Sequence, residues 1–250
     1  MSNIPYENIE IEQIFAQAFT TGQRSIAICA AESGEGVTSL ALALAQRQLL
    51  AGNSVLLVDL NLYRPTLTSI LDIHSMTPAS NCKQVVAVEA KYSDLLSAPT
   101  LTVNEQNSVV LTGITAPNTR ESVMKLRKAG VLEMFIEQWL KQYDSVIIDT
   151  SPLNRMNAHN IPPERIAAAC DAAILVVLAG KTPMASISNA LSKLNNAQAH
   201  LIGSVINDRD NPSLKDELLR ETDRFFARST KLQQYFFRLL NKSRLLTLEI

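Results

Sequence analysis

The residues with the clearest chemical potential form one loop, Ala31-Glu32-Ser33-Gly34-Glu35-Gly36-Val37-Thr38-Ser39, set between an apolar run and an Ala- and Leu-rich stretch. Glycines at 34 and 36 allow consecutive backbone N–H groups to turn toward one anion, and the start of the following helix adds partial positive charge. A phosphate loop usually reads Gly or Ala, four residues, then Gly-Lys-Ser/Thr. Here Ala31 and Gly36 keep that spacing, and Thr38 keeps the hydroxyl that would hold Mg²⁺. Val37 stands where the lysine belongs. A valine carries no charge and donates no hydrogen bond to the β and γ phosphates. By comparison with removal of one preorganised transition-state donor, the expected loss in rate is on the order of 10²- to 10³-fold or more. Gly34, Glu35, Gly36, Val37, Thr38 and Ser39 are the loop's candidate cofactor-binding residues.

Two carboxylates close apolar runs elsewhere in the chain. Asp59 ends Val55-Leu56-Leu57-Val58-Asp59, and Asp149 ends Ser145-Val146-Ile147-Ile148-Asp149. A carboxylate at the C-terminal end of a strand, beside a phosphate loop, can hold Mg²⁺ through water and orient a nucleophile. One strand-end Asp is ordinarily a turn residue; two of them with a glycine loop describe a site. Asp59 and Asp149 are therefore the candidate catalytic pair, and with Thr38 they form the candidate Mg²⁺ set.

The elements that must position these groups are legible from periodicity. Residues 25–30, 54–59, 145–149 and 172–178 are apolar at successive positions, with a further run at 200–207 and a weaker one at 108–112. Unbroken apolar runs suit strands buried on both faces of a parallel sheet. Between them, 37–52 reads as a helix closed by Gly52, and 120–143 and 184–197 read as two more. The rhythm predicts an α/β domain: a doubly wound, mostly parallel sheet with helices on both faces. Residues 61–107 are less regular and are where a surface insertion or partner-facing loop would sit, and residues 213–250 read as a helical tail appended to a domain of residues 1–212.

Composition excludes several functions. With 23 basic and 24 acidic residues and a net charge of −1, the chain shows no bias toward nucleic acid. Cys29, Cys82 and Cys170 are widely spaced and read as reduced, packed thiols of a cytoplasmic protein. His74, His159 and His200 have no metal-ligand spacing. The start of the chain carries no secretory pattern, and the longest apolar run, 172–179, is far short of the roughly 20 residues a membrane-spanning helix needs.

Two further motifs carry a family resemblance. VLLVDLNLYRP resembles the Walker A′ segment of bacterial tyrosine kinases, commonly IDxDxRxP, and YDSVIIDTSP resembles their Walker B, YDxVIIDTPP. The nearer relatives are cytoplasmic kinase modules of capsule and exopolysaccharide operons, and the wider group includes MinD and ParA. The resemblance implies a P-loop NTPase fold binding ATP or ADP with Mg²⁺, Asp59 as the Walker A′ carboxylate and Asp149 as Walker B. It also implies that Asn207, in SVINDRDNP, reads adenine and that Pro212 lies in the adenine-covering loop. Departures accompany the matches: Val37 for lysine, Asn61 for the second Walker A′ aspartate, Ser151 for a proline, no tyrosine-rich C-terminal cluster, and no N-terminal Glu-and-Arg repeat. Together these argue against an active autokinase.

In the tail, Leu232, Tyr235, Phe236, Leu239 and Leu240 recur at helical spacing, flanked by Arg228, Lys231, Arg238 and Lys242. Such a basic amphipathic helix over 227–248 could lie on an anionic membrane surface, pack on the domain, or join copies of the chain in a homo-oligomer. The leading expectation is a degenerate accessory protein of polysaccharide synthesis and export, at the inner face of the membrane, binding nucleotide weakly and meeting an inner-membrane export or chain-length protein. One alternative is an active ATPase or tyrosine kinase whose missing charge comes from Arg64 or from an arginine of a second subunit. Another is a MinD- or ParA-like positioning ATPase.

Overall fold

Each apolar run becomes a strand. The computed structural model describes residues 8–19, 22–66, 100–103, 110–117, 119–155 and 160–210, together with Leu218 and Thr222. The strands are β1 (Ser25–Ala30), β2 (Val55–Leu60), β3 (Thr100–Val103), β4 (Val110–Ile114), β5 (Ser145–Thr150), β6 (Ala172–Leu178) and β7 (Leu201–Asn207). They form one seven-stranded sheet in the order β3-β4-β2-β5-β1-β6-β7. Pairing is parallel throughout, except that β3 runs antiparallel on the β4 edge. That edge strand lies inside the stretch expected to be irregular, where four residues alternating Thr with Leu or Val were too short to stand out.

Six helices are described: α1 (Ile9–Phe19), α2 (Val37–Leu50), α3 (Arg120–Leu126), α4 (Val131–Trp139), α5 (Pro163–Ala169) and α6 (Met184–Asn196). All six residues of β1, β2 and β5 are buried. Because strand side chains alternate, they feed two separate cores. Ile26, Ile28, Leu57 and Ile147 pack with α1 and α2 residues such as Ile11, Leu40 and Leu44. Ala27, Cys29, Leu56, Val58 and Ile148 pack with Leu126, Phe135, Trp139 and Ile166 from α3, α4 and α5. Cys29 and Cys170 are free and buried, and desolvation raises the Cys29 thiol to about 12, so both behave as packing residues.

The expected single helix over 120–143 is two. Gly130, at φ +82°, is the left-handed N-cap of α4 and breaks the ladder after α3. The period hid the break because both helices present apolar residues to the same core: Val123 and Leu126 before it, Val131, Leu132, Phe135 and Ile136 after it. The close of α2 agrees with expectation, since Gly52 adopts φ +82° and its N–H donates to the Leu49 carbonyl at 3.0 Å. Helices α1 and α5 were not anticipated, being short and, in α5, opened by a proline pair that reads as a turn.

Chain direction sets the place of the site. From β1 the chain crosses through α2 to β2 on one side, whereas from β5 it crosses through α5 to β6 on the other. Crossovers that diverge in this way leave a crevice at the C-terminal ends of the strands. The chain divides into compact units Met1–Asn207 and Asp208–Ile250, and the first contains every described strand. Pro212, Cys82, His74, His159 and the 227–248 stripe lie outside the described residues. Among the described residues, no helix is long and apolar enough to cross a membrane.

Candidate phosphate and metal site

The loop after β1 turns through two left-handed glycines, Gly34 at φ +87° and Gly36 at φ +105°. Gly36 is the N-cap of α2 and no side chain caps that end. The first-turn amides of α2 are thus left without a side-chain acceptor, the arrangement that receives an anion. Glu35 folds inward and is buried: its carboxylate accepts the Glu32 N–H at 3.2 Å and the Thr182 hydroxyl. Asn207, at the end of β7, donates from Nδ2 to the Glu35 carbonyl at 2.8 Å.

Gly36 is confined twice over. A Cβ at this position would lie 2.4 Å from Asn207 Nδ2, and φ there is one that side chains rarely adopt. Gly52 has the same sign of φ but open space around it. Gly36→Ala should therefore lower stability by about 2 kcal/mol or more, and by more than Gly52→Ala. Urea denaturation of the two variants measures the difference, and Asn207→Ala should relieve part of the Gly36→Ala penalty. Equal losses would mean that the close approach does not constrain the loop.

The carboxylates meet beneath the loop. Asp59 and Asp149 are direct partners across β2 and β5, and both are fully buried. Thr38 Oγ1 donates to Asp149 Oδ2 at 2.5 Å, and Thr66 Oγ1 donates to Thr38 Oγ1 at 3.3 Å. Asp59 accepts the Asn61 N–H at 2.9 Å and the Thr66 N–H at 3.2 Å. Asp149 Oδ1, by contrast, is buried without a hydrogen bond. Burial first, and then the neighbouring Asp59 charge, push Asp149 up to about 8, opposed by the Thr38 hydroxyl and the Asn61 side chain. A buried carboxylate pair with an unpaired oxygen and a threonine hydroxyl on its other side is a donor set that a hard divalent cation would relieve. Thr38, Asp59 and Asp149 therefore fit Mg²⁺.

The remaining expected residues fall as follows. Val37 is buried in the same apolar cluster as Leu40 and Ile28. Ser39 is half-buried on the first turn of α2. Arg64 lies exposed on the turn after β2, its backbone N–H donating to Asn61 Oδ1 at 3.2 Å. Ser151, noted in the sequence as a departure, is buried and accepts the Tyr63 N–H at 3.4 Å, which ties that turn to β5.

Sequence reasoning missed a second polar group on the loop. Glu32 accepts hydrogen bonds from Arg155 Nε at 3.1 Å, Ser186 Oγ at 3.1 Å and Asn154 Nδ2 at 3.4 Å. Thr66 and Thr182 were missed as well. Arg155 follows shortly after Asp149 and could have been noticed there; nothing in the sequence marks Thr182.

A glycine loop between the first strand and a helix, at the crevice of a parallel sheet and above paired strand-end carboxylates, defines a P-loop-type nucleotide-binding module. The AAA domain model AAA_31 matches residues 23–207, and the chain belongs to that family. Within it, the chain is a module similar to bacterial tyrosine kinases. The tyrosine-protein kinase YwqD of Bacillus subtilis is 25% identical over 210 residues, covering 81% of this chain and 77% of its own. The kinase domain of the Escherichia coli tyrosine kinase ETK superposes with a TM-score of 0.59 at 16% identity, over 85% of this chain and 84% of that one. Cobyrinic acid a,c-diamide synthase of Mycobacterium smegmatis, solved with bound ADP and magnesium, superposes at 0.52 and 20% identity over 80% and 81%.

Proposed function

We propose that this chain is a nucleotide-responsive accessory protein of bacterial capsule or exopolysaccharide synthesis and export, one that binds Mg-nucleotide weakly and turns it over slowly or not at all. One observation carries the reading. The cradle is kept, with its left-handed glycines, uncapped α2 start and Thr38–Asp149–Asp59 cluster, while the lysine position is an apolar residue buried in the core. The tyrosine kinase relatives supply the class of system, and the ADP and magnesium in a structural neighbour support the choice of ligand.

In this reading, Gly34, Gly36, Thr38 and Ser39 receive phosphate oxygens, and Thr38, Asp59 and Asp149 hold Mg²⁺, which would neutralise phosphate charge. Asn207 orients the base side of the site through its bond to the loop. Val37 leaves the developing charge of phosphoryl transfer without its usual cation, so binding outlasts catalysis. The basic stripe of the sequence over 227–248 is the part proposed to meet an export or chain-length protein at the inner face of the membrane.

Isothermal titration of the full chain with Mg-ATP, paired with phosphate-release kinetics, tests this. The expected result is binding in the micromolar range or weaker, with turnover at least about 10²-fold below that of the Val37→Lys variant. Turnover equal to that of the lysine variant would instead favour an active ATPase or kinase.

A further inference from the structure

We infer that Arg155 supplies the phosphate site with the positive charge that Val37 lacks, exchanging its ion pair with Glu32 for a phosphate oxygen when nucleotide binds. The inference rests on the nucleotide-site reading above and names the cation that makes it workable.

The charge inventory poses the problem. Residues 31–39 contain Glu32 and Glu35 and no Lys or Arg, and Asp59 and Asp149 lie beneath them. A triphosphate brought to this loop meets four acidic side chains. The unpaired, buried Asp149 Oδ1 marks where a divalent cation would sit, but that ion answers the carboxylate pair below the loop. Within the loop itself, nothing supplies a counter-charge for phosphates placed above it.

Arg155 is built into place for that purpose. Its Nε lies 3.1 Å from Glu32 Oε2, so the guanidinium already rests on the loop. The segment carrying it is pinned alongside: the Leu153 N–H donates to the Ala30 carbonyl at 2.8 Å and the Asn154 N–H to the Ala31 carbonyl at 3.1 Å. Lys193 Nζ holds the Leu153 carbonyl at 2.6 Å, and Asn154 Nδ2 holds the Ser186 carbonyl at 3.0 Å. The backbone is thereby fixed while the Arg155 side chain, 58% exposed, keeps its freedom. With its guanidinium largely in water, the pair contributes modestly to the free protein, whereas a guanidinium can meet a phosphate through two parallel hydrogen bonds. Exchange of Glu32 for phosphate is therefore favourable. Arg64 fits the task less well, because it is its backbone N–H, on the turn after β2, that is tied, to Asn61 Oδ1, and not its guanidinium to the loop.

A double-mutant cycle on the full chain, read by isothermal titration with Mg-ATP, tests the assignment. Arg155→Gln should weaken binding by about 10-fold or more and flatten its salt dependence, with Arg155→Lys recovering part of the loss. Glu32→Gln should tighten binding about 3-fold or more by releasing Arg155, and that gain should vanish in the Arg155→Gln background. The melting temperature of unliganded Arg155→Gln should stay within about 2 °C of wild type, as for the loss of a pair whose guanidinium is exposed. Affinity within about 2-fold of wild type in Arg155→Gln, or a Glu32→Gln gain that survives without Arg155, overturns the inference. If Val37→Lys binds Mg-ATP and the wild type does not, the site reading stands and Arg155 is rejected. If neither binds, both fail.

Discussion

Val37→Lys is expected to tighten Mg-ATP binding by about 10- to 100-fold, the effect of one added charged hydrogen bond to phosphate. Turnover should rise by a further factor on the order of 10²-fold, since the ammonium follows charge that grows toward the transition state. The substitution is sterically feasible. Val37 sits on the first residue of α2, directly after the left-handed Gly36, and belongs to an apolar cluster that includes Leu40, Ala41 and Ile28. A lysine can leave its methylene stem over that cluster while carrying its ammonium outward. Some packing is lost, so stability should drop by about 1 kcal/mol, or about 2 to 4 °C in melting temperature for a domain of this size. Titration calorimetry and phosphate release on the same preparations check both effects. A folded Val37→Lys protein with affinity unchanged would place residue 37 away from the phosphates and undo the proposal of weak catalysis.

The second large effect concerns pH. Asp149 is raised from its ordinary 3.8 to about 8, chiefly by burial and then by Asp59. Between those two values the folded protein holds a proton that the unfolded chain has released. The contribution of Asp149 to stability is therefore greatest at and below about pH 4, falls as pH rises toward about 8, and levels off above it. At roughly 1.4 kcal/mol per unit, the span amounts to several kcal/mol. Asn cannot ionise, so Asp149→Asn should abolish most of this slope and leave the variant more stable than wild type at pH 8.5, while the two differ little at pH 4.5. Urea denaturation at the two pH values, without divalent cations, gives the result. MgCl₂ with ADP should then stabilise wild type at pH 8.5 and leave Asp149→Asn nearly unaffected, because the variant lacks the charged oxygen the cation needs. A variant equally destabilised at both pH values would mean that Asp149 is retained for packing alone.

The local grammar of this chain was legible without coordinates. Residues 25–30, 145–149 and 172–178 are strands because apolar side chains at successive positions can be satisfied only between two helical layers. The Ala31–Ser39 loop had to turn where Gly34 and Gly36 stand, and the residue missing from it, a lysine, was visible as Val37. Asp59 and Asp149 were recognisable as strand ends. These readings depend on neighbours within a few positions, which is the range over which backbone propensity and hydrophobic period act.

The strand order, by contrast, decided which distant groups met. Putting β5 between β1 and β2 sets Asp149 beside Asp59 and within 2.5 Å of Thr38, 111 residues away in sequence. The same arrangement lays Arg155 on Glu32 across 123 residues and brings Asn207 against the loop across 172. The break at Gly130 was hidden because two helices face one core, and β3 escaped notice because pairing with β4, more than its own four residues, makes it a strand. Sequence alone determined the loop, its missing cation and the layered fold; tertiary structure alone decided the charges around that loop. Electrostatic environment depends on distance in space, and no periodicity in a chain encodes it.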